Sequence, residues 1–444
     1  MSADLHIRGA RDAAGAPIEL AVEDGRISAI APELDDRGAR ATIDATGLHV
    51  LPGVVDAHVH LNDPGRADWE GWATGTAALA AGGATTCVDM PLNAHPPTTD
   101  AAAFDAKRAA AEGRARVDFA LWGGLVPGNL GDLAGLAERG VIGFKAFMAD
   151  SGIDDFAAAD DLTLYEGMAR AAELGLPVAV HAENRELTAA LATRAIAAGR
   201  TAMRDWLASR PVVAETEAIA RAIAFAEDTR CSLHVVHVST GRGVALVAEA
   251  RSRGADVTCE TCPHYLLLDE DDAARLGTIA KCAPPLRPAL EVDALWEALA
   301  DGSLPMITSD HSPAPPALKQ GDAFAAWGGI AGAQTLLALT LDGALERGLD
   351  PALIASAAAT FPARRFALRG KGALEAGADA DLVLVDLAAG ETIEPERLLQ
   401  RHPVTPFAGR STRVRVARTI LRGRTIALGG QLAGPPRGRL VTSG

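Results

Sequence analysis

The sequence predicts an α/β protein, a (β/α)8 TIM-like barrel carrying a small β-sandwich domain assembled from both ends of the chain. Three observations carry this. Eight short apolar or β-branched runs recur through the middle of the 444 residues, separated by stretches with helical period. The two ends read differently, as short strands broken by turn signals. The composition, 48% hydrophobic and 22% charged, belongs to a globular chain long enough to bury a large core.

The eight runs fall at residues 54–60, 84–91, 117–123, 141–147, 177–182, 232–239, 256–262 and 305–310. Between them, residues 75–81, 100–112, 161–174, 215–227, 243–254 and 289–300 have the Ala, Leu, Glu and Arg content of helices. Strands that alternate with helices of this length pair in parallel through crossovers, and eight such units close a barrel. Residues 1–50 contain the turn signals Ala16-Pro17 and Asp24-Gly25, and residues 371–444 contain strand-like runs at 380–386, 414–421 and 424–428. We therefore expect three segments: 1–50 and 371–444 as the halves of the small β domain, and 51–370 as the barrel. No internal repeat and no heptad run interrupts this order.

The charge balance, 42 basic against 57 acidic residues for a net −15, argues against nucleic acid and anionic membranes as partners and favours a small-molecule substrate. Charged residues scattered through the first thirty positions leave no apolar core for a signal peptide, so a cytoplasmic protein is expected. Two uncharged stretches, 71–88 and 323–341, contain too many Gly, Thr or Gln residues for membrane spans and are expected to be buried barrel helices. The five cysteines fit reduced cytosolic thiols. Cys259 and Cys262 form a single C-x-x-C without a second pair, so they are expected to pack at a strand end.

The strongest local signal is His58-Val59-His60, at the end of the first predicted strand. Period two puts both imidazoles on one face, aimed at the mouth of the barrel, where they can converge on one metal. His181 ends the fifth strand, His237 lies near the end of the sixth and Asp310 ends the eighth, all on the rim where barrel enzymes keep their sites. Lys145 sits inside the apolar strand Gly143-Phe144-Lys145-Ala146-Phe147, where an isolated ammonium is costly. Only five of the 42 basic residues are lysine. A buried lysine can become a neutral amine and capture CO2 as a carbamate, which an always-protonated arginine cannot do. Four histidines, one aspartate and a carbamylated lysine supply enough donors for two divalent ions, with zinc suited to the imidazole-rich set and iron, cobalt or manganese also accommodated.

Other histidines carry less. His234 is expected to be structural, turned from His237 by strand alternation. His311 follows Asp310 and is placed to orient the site, and His264 is open to either reading. His6, His49, His95 and His402 have no converging partners in the sequence. The turn Gly241-Arg242-Gly243 lacks the third glycine of a dinucleotide loop.

With these residues in place, the sequence resembles the cyclic amidohydrolases, the group within the amidohydrolase superfamily that contains dihydroorotases, dihydropyrimidinases or hydantoinases, and allantoinases. The likeness covers nearly the whole chain and rests on Asp56-Ala57-His58-Val59-His60 with Lys145, His181, His237 and Asp310. Within the group it looks most like the allantoinases, through residues 58–71 (HVHLNDPGRADWEG), 89–98 (DMPLNAHPPT), 257–265 (VTCETCPHY), 309–313 (SDHSP) and 326–334 (AWGGIAGAQ).

The resemblance implies hydrolytic ring opening of allantoin to allantoate at a binuclear centre bridged by N6-carboxylated Lys145, with Asp310 moving the proton, in a homotetramer of purine and ureide catabolism. Asn62 stands where dihydroorotases usually place an arginine for the substrate carboxylate, which suits a neutral ureide. Asn62, Asn93, Ser151 and Ser312 are the expected substrate contacts, near strand ends with hydrogen-bonding side chains. The loop after Lys145, AFMADSG, looks shorter than in some allantoinases. The competing readings are a hydantoinase or dihydropyrimidinase and a non-catalytic scaffold relative.

Overall fold

All eight expected barrel strands form, most of them shorter than the apolar runs that announce them. They are Val54–Val59, Ala84–Asp89, Asp118–Leu121 with its continuation Gly123–Gly124, Phe144–Phe147, Val178–His181, Leu233–Val235, Val257–Thr261 and Met306–Ile307. The computed structural model describes residues 3–35 and 38–443; residues 1, 2, 36, 37 and 444, part of the two expected terminal segments, lie outside the described residues.

Every neighbouring pair of these strands is parallel. The third strand breaks at Trp122, whose indole donates to the carbonyl of Ala57 at 3.1 Å, and resumes at Gly123 against Phe144. A parallel bridge between Val59 and His311 joins the first strand to the chain beyond the eighth and closes the barrel. The side chains of Val55, Val88, Ala120, Ile142, Ala179, Val236 and Met306 fill one buried cluster. This is the packed interior that a barrel of eight strands requires.

The helices stand where the period places them. Trp72–Ala81, Ala101–Ala111, Asp161–Glu173, Val212–Thr229, Gly241–Ser252 and Ala289–Ala300 match the six predicted stretches to within three residues at each end. Three of them are capped by Asp100, Asp160 and Thr240, whose side chains accept from the backbone three residues on, as helix starts prefer. The stretch 71–88 is a barrel helix followed by a strand. The stretch 323–341 is different from expectation: it runs without a helix until Leu336–Glu346 begins. Its Gly328-Gly329 pair explains this, because Gly329 has φ +134° and a Cβ there would lie 2.3 Å from the Ser312 carbonyl oxygen. Among the described residues no helix is long and apolar enough to cross a membrane.

The two ends of the chain meet in one nine-stranded sheet. Leu5–Arg11 pairs antiparallel with Pro17–Glu23 on one side and parallel with Thr42–Asp44 and His49 on the other, so the sheet forks there. His49–Pro52 then pairs with Leu382–Asp386, which joins the halves. The sheet closes over Ile7, Leu20, Val22, Val50, Leu382 and Ile420, a core separate from that of the barrel. All five cysteines are buried and free, Cys259 and Cys262 included.

Candidate metal centre

Four histidines and an aspartate from four separate segments line one cavity of roughly 370 Å³ at the carboxyl ends of the barrel strands. The donor atoms of His58, His60 and Asp310 lie within 4.8 Å of one another. Asp310 Oδ1 is 3.2 Å from His58 Nε2 and 3.4 Å from His60 Nε2. His181 Nδ1 faces His237 Nε2 at 3.1 Å, and the rings of His58 and His237 are 5.4 Å apart. His237 and Asp310 hold left-handed backbone, at φ +40° and +42°. For residues that are not glycine this is a strained conformation, of the kind that clusters at active sites. The strands end before these residues because the backbone must turn there to aim them.

Lys145 lies fully buried in the fourth strand, its residue paired in register with Ala179 of the fifth. Among the described residues its ammonium has no carboxylate within ion-pairing distance. Its hydrogen bond is to the Ala146 carbonyl at 3.4 Å, and it stands 4.3 Å from the centre of the Phe147 ring. Burial brings it down to about 7, against a weaker pull upward from Asp310 and Glu260. The amine is therefore partly neutral at physiological pH, which is the form that reacts with CO2.

Burial also lowers His60, His181 and His237, the last well below the ordinary range because His181, Lys145 and His58 add to the effect. Neutral imidazole is the metal-binding form. Burial pushes the Asp310 carboxyl up, but His58 and His60 outweigh it and hold the group well below the usual carboxylate range. His237 Nδ1 is buried with no partner among the described residues. Close-set imidazoles, an anionic carboxylate and a buried amine form a donor set that fits divalent cations.

Two glutamates that the sequence reading missed support this set. His58 donates from Nδ1 to Glu260 Oε1 at 2.6 Å, while the other oxygen of Glu260 accepts from His234 Nε2 at 3.0 Å. His181 donates from Nε2 to Glu183 Oε2 at 2.8 Å, and Arg210 pairs with the same oxygen. Burial raises Glu183, but Arg210 and His181 bring it to about 2. A carboxylate on the far nitrogen is how metal-binding histidines are held in tautomer and orientation. His234 is thus buried and structural, but it stands one carboxylate away from His58. Its Nδ1 meets Thr258 Oγ1 at 2.8 Å, so it braces Glu260.

The four expected substrate contacts divide. Asn93, Ser151 and Ser312 line the cavity, and Asn62 does not. Asn62 is buried at φ +63° with its amide 3.4 Å from the Pro313 carbonyl. Ser151 donates to the carbonyl of Phe156 at 2.6 Å, which spends its hydroxyl on the loop. Asn93 Nδ2 lies 3.5 Å from His60 Nδ1, and its Oδ1 has no partner among the described residues. His264 is buried, brought to about 4 by burial, and its Nε2 has no partner among the described residues. His311 accepts at Nδ1 from the amides of Gly332 and Ala333, with Nε2 3.4 Å from Glu70.

A barrel that gathers such a donor set at its mouth defines a metal-dependent hydrolase, and the model of the amidohydrolase family matches residues 49–426. The chain belongs to that family. It is 60% identical over 442 residues to an allantoinase of Rubrobacter xylanophilus, covering 99% of this chain and 97% of that protein. To an allantoinase of Solibacter usitatus it is 58% identical over 436 residues, 96% of this chain and 95% of the other. Among solved structures it is similar to the L-hydantoinase (dihydropyrimidinase) from Arthrobacter aurescens, with TM-score 0.96, 36% identity and coverage of 99% and 100% of the two chains.

Proposed function

We propose that this chain opens the hydantoin ring of allantoin by hydrolysis to give allantoate, with His58, His60, Lys145, His181, His237 and Asp310 holding two divalent ions. The observation that carries this is Lys145, a buried amine with no carboxylate in ion-pairing distance among the described residues, set among imidazoles in a family whose full-length relatives include allantoinases. Zinc suits the donor set, and bound ions would supply an activated water and a Lewis acid for the ring carbonyl.

The protein's own residues do the rest. Lys145 as its N6-carboxylate supplies oxygen donors from a long arm. Glu183 and Glu260 fix the tautomers of His181 and His58. Asp310, anionic in the resting site, accepts the proton lost by the attacking water and returns it to the leaving ring nitrogen, so the C–N bond breaks without expelling an anion. A second carbonyl flanks that nitrogen and eases its departure. Asn93 and Ser312, on the cavity wall, are the polar contacts for the ring.

The same reading takes residues 1–50 and 371–444 as one small β domain on the 51–370 barrel, a division supported by the shared terminal sheet. It also takes the protein as a cytoplasmic homotetramer of purine and ureide breakdown. A second reading, a hydantoinase of different ring preference, is favoured by the Arthrobacter likeness. One assay separates them. With metal-loaded protein, allantoin should be the best of allantoin, hydantoin, dihydrouracil and dihydroorotate by kcat/KM, and a higher value for either of the middle two would contradict the proposal.

A further inference from the structure

Each of the five lysines serves an identifiable environment, and two of them stand out. Lys107 donates to Asp89 Oδ2 at 2.6 Å, Lys371 sits among three aspartates, and Lys145 belongs to the metal centre. Lys281 and Lys319 have no carboxylate within 4 Å among the described residues. Both instead donate to backbone carbonyls of the loop 324–329: Lys281 to Phe324 at 3.3 Å and to Ala326, Lys319 to Trp327 at 3.1 Å and to Gly329. This loop and Lys281 line the same cavity as His58 and His60, and Lys319 does not.

Lys281 is 4% exposed and its nitrogen stands 4.1 Å from the centre of the Trp206 ring. Arg210 lies on the same ring at 4.5 Å, and only one of its side-chain nitrogens has a hydrogen-bond partner among the described residues. The indole nitrogens of Trp206 and Trp327, both on this wall, are buried donors with no acceptor among the described residues. The wall is therefore rich in donors, and although Asp150 lines the same cavity and Asp322 acts on Lys281 from farther off, among the described residues no carboxylate lies within 4 Å of Lys281. A buried cation without a counter-charge is costly to fold and is matched by a ligand that brings acceptor oxygens.

We propose that Lys281 and the loop 324–329 form a subsite for an acceptor oxygen on the substituent arm of the ring substrate, with Lys319 as a positioning residue that holds the loop. This deepens the reading of the previous subsection and rests on it: in allantoin the acceptor is the carbonyl of the ureido arm. An arm ending in a carboxylate has the same acceptor chemistry, and the test separates the two.

The experiment measures kcat/KM of metal-loaded protein for four hydantoins: unsubstituted, 5-ureido (allantoin), 5-carboxymethyl, and 5-(2-methylpropyl), whose arm has the ureido shape without its polar atoms. The wild type should favour the ureido over the 2-methylpropyl arm by about 100-fold or more. In Lys281→Met that preference should shrink by about 10- to 100-fold, whereas Lys319→Met should lower both arms alike. Equal losses for both arms in Lys281→Met would make the lysine a mere brace and overturn the subsite. Should Lys281→Met fail to fold or hold metal, the wild-type comparison decides alone: equal turnover of the two arms overturns the subsite while the allantoin reading stands. Turnover of the carboxymethyl arm with none of allantoin would support the subsite and overturn the allantoin reading.

Discussion

Lys145 and Lys371 are both buried lysines, at two ends of one barrel, and their surroundings are opposite. Lys145 near the carboxyl ends of the strands faces imidazoles and has no ion-pairing carboxylate, so burial brings it to about 7. Lys371 reaches Asp118 at the start of the third strand at 2.5 Å, Asp381 at 2.8 Å and Asp379 at 2.9 Å, with Arg422 also on Asp118. Burial works against its charge there too, but Asp381 and Asp118 more than reverse it and raise the ammonium above its ordinary range. One lysine is kept able to lose its proton and react, and the other is kept charged. The second ties the barrel to the terminal sheet, since Asp381 immediately precedes the strand Leu382–Asp386. This follows the division of labour in barrels, with chemistry at the carboxyl end and stability at the other.

The contrast can be broken at either end. Lys145→Ala should have the largest effect, with bound metal and turnover lost together and partial recovery on adding a short carboxylic acid; full activity without rescue would end the carbamate assignment. Asp310→Asn should lower kcat by about 10²- to 10⁴-fold while retaining much of the metal, read by metal analysis beside the rate. Glu260→Gln, which weakens the hold on His58, should reduce metal affinity by about 10- to 100-fold in a chelator titration. Lys371→Met should reverse the pattern. It leaves the buried Asp118 and Asp381 and the half-buried Asp379 short of a cation and should cost about 3–5 kcal/mol of stability in denaturant unfolding. Turnover per folded, metal-loaded molecule should stay within about twofold of wild type, because the residue touches nothing in the cavity. A large kcat loss in that variant would show that the two ends are not independent.

Much of the barrel was legible because its strands are β-branched runs bounded by polar residues, and because histidines and an aspartate at their ends have no better use than a site. Lys145 was legible because a charge inside an apolar strand demands a reason. The same test, applied to Val257-Thr258-Cys259-Glu260-Thr261, would have found Glu260, whose partner His58 is 202 residues away in the chain. Glu183 carried a weaker signal, standing two residues after His181. The loop 324–329 carried no periodic signal, only the likeness of residues 326–334 to the allantoinases, since a segment held by lysine-to-carbonyl hydrogen bonds has no period. Its apolar composition instead suggested a helix, which forms only from Leu336. Asn62 was read from its place after His60, yet its left-handed backbone turns it into the protein and away from the cavity lining.

The most direct test joins metal content to product. Protein repleted with zinc and bicarbonate should contain about two ions per chain and convert allantoin to allantoate without releasing ammonia. A chain that retains less than about one ion after repletion, or that leaves the ring closed with its ions in place, would contradict the assignment of the barrel mouth as a binuclear hydrolytic centre.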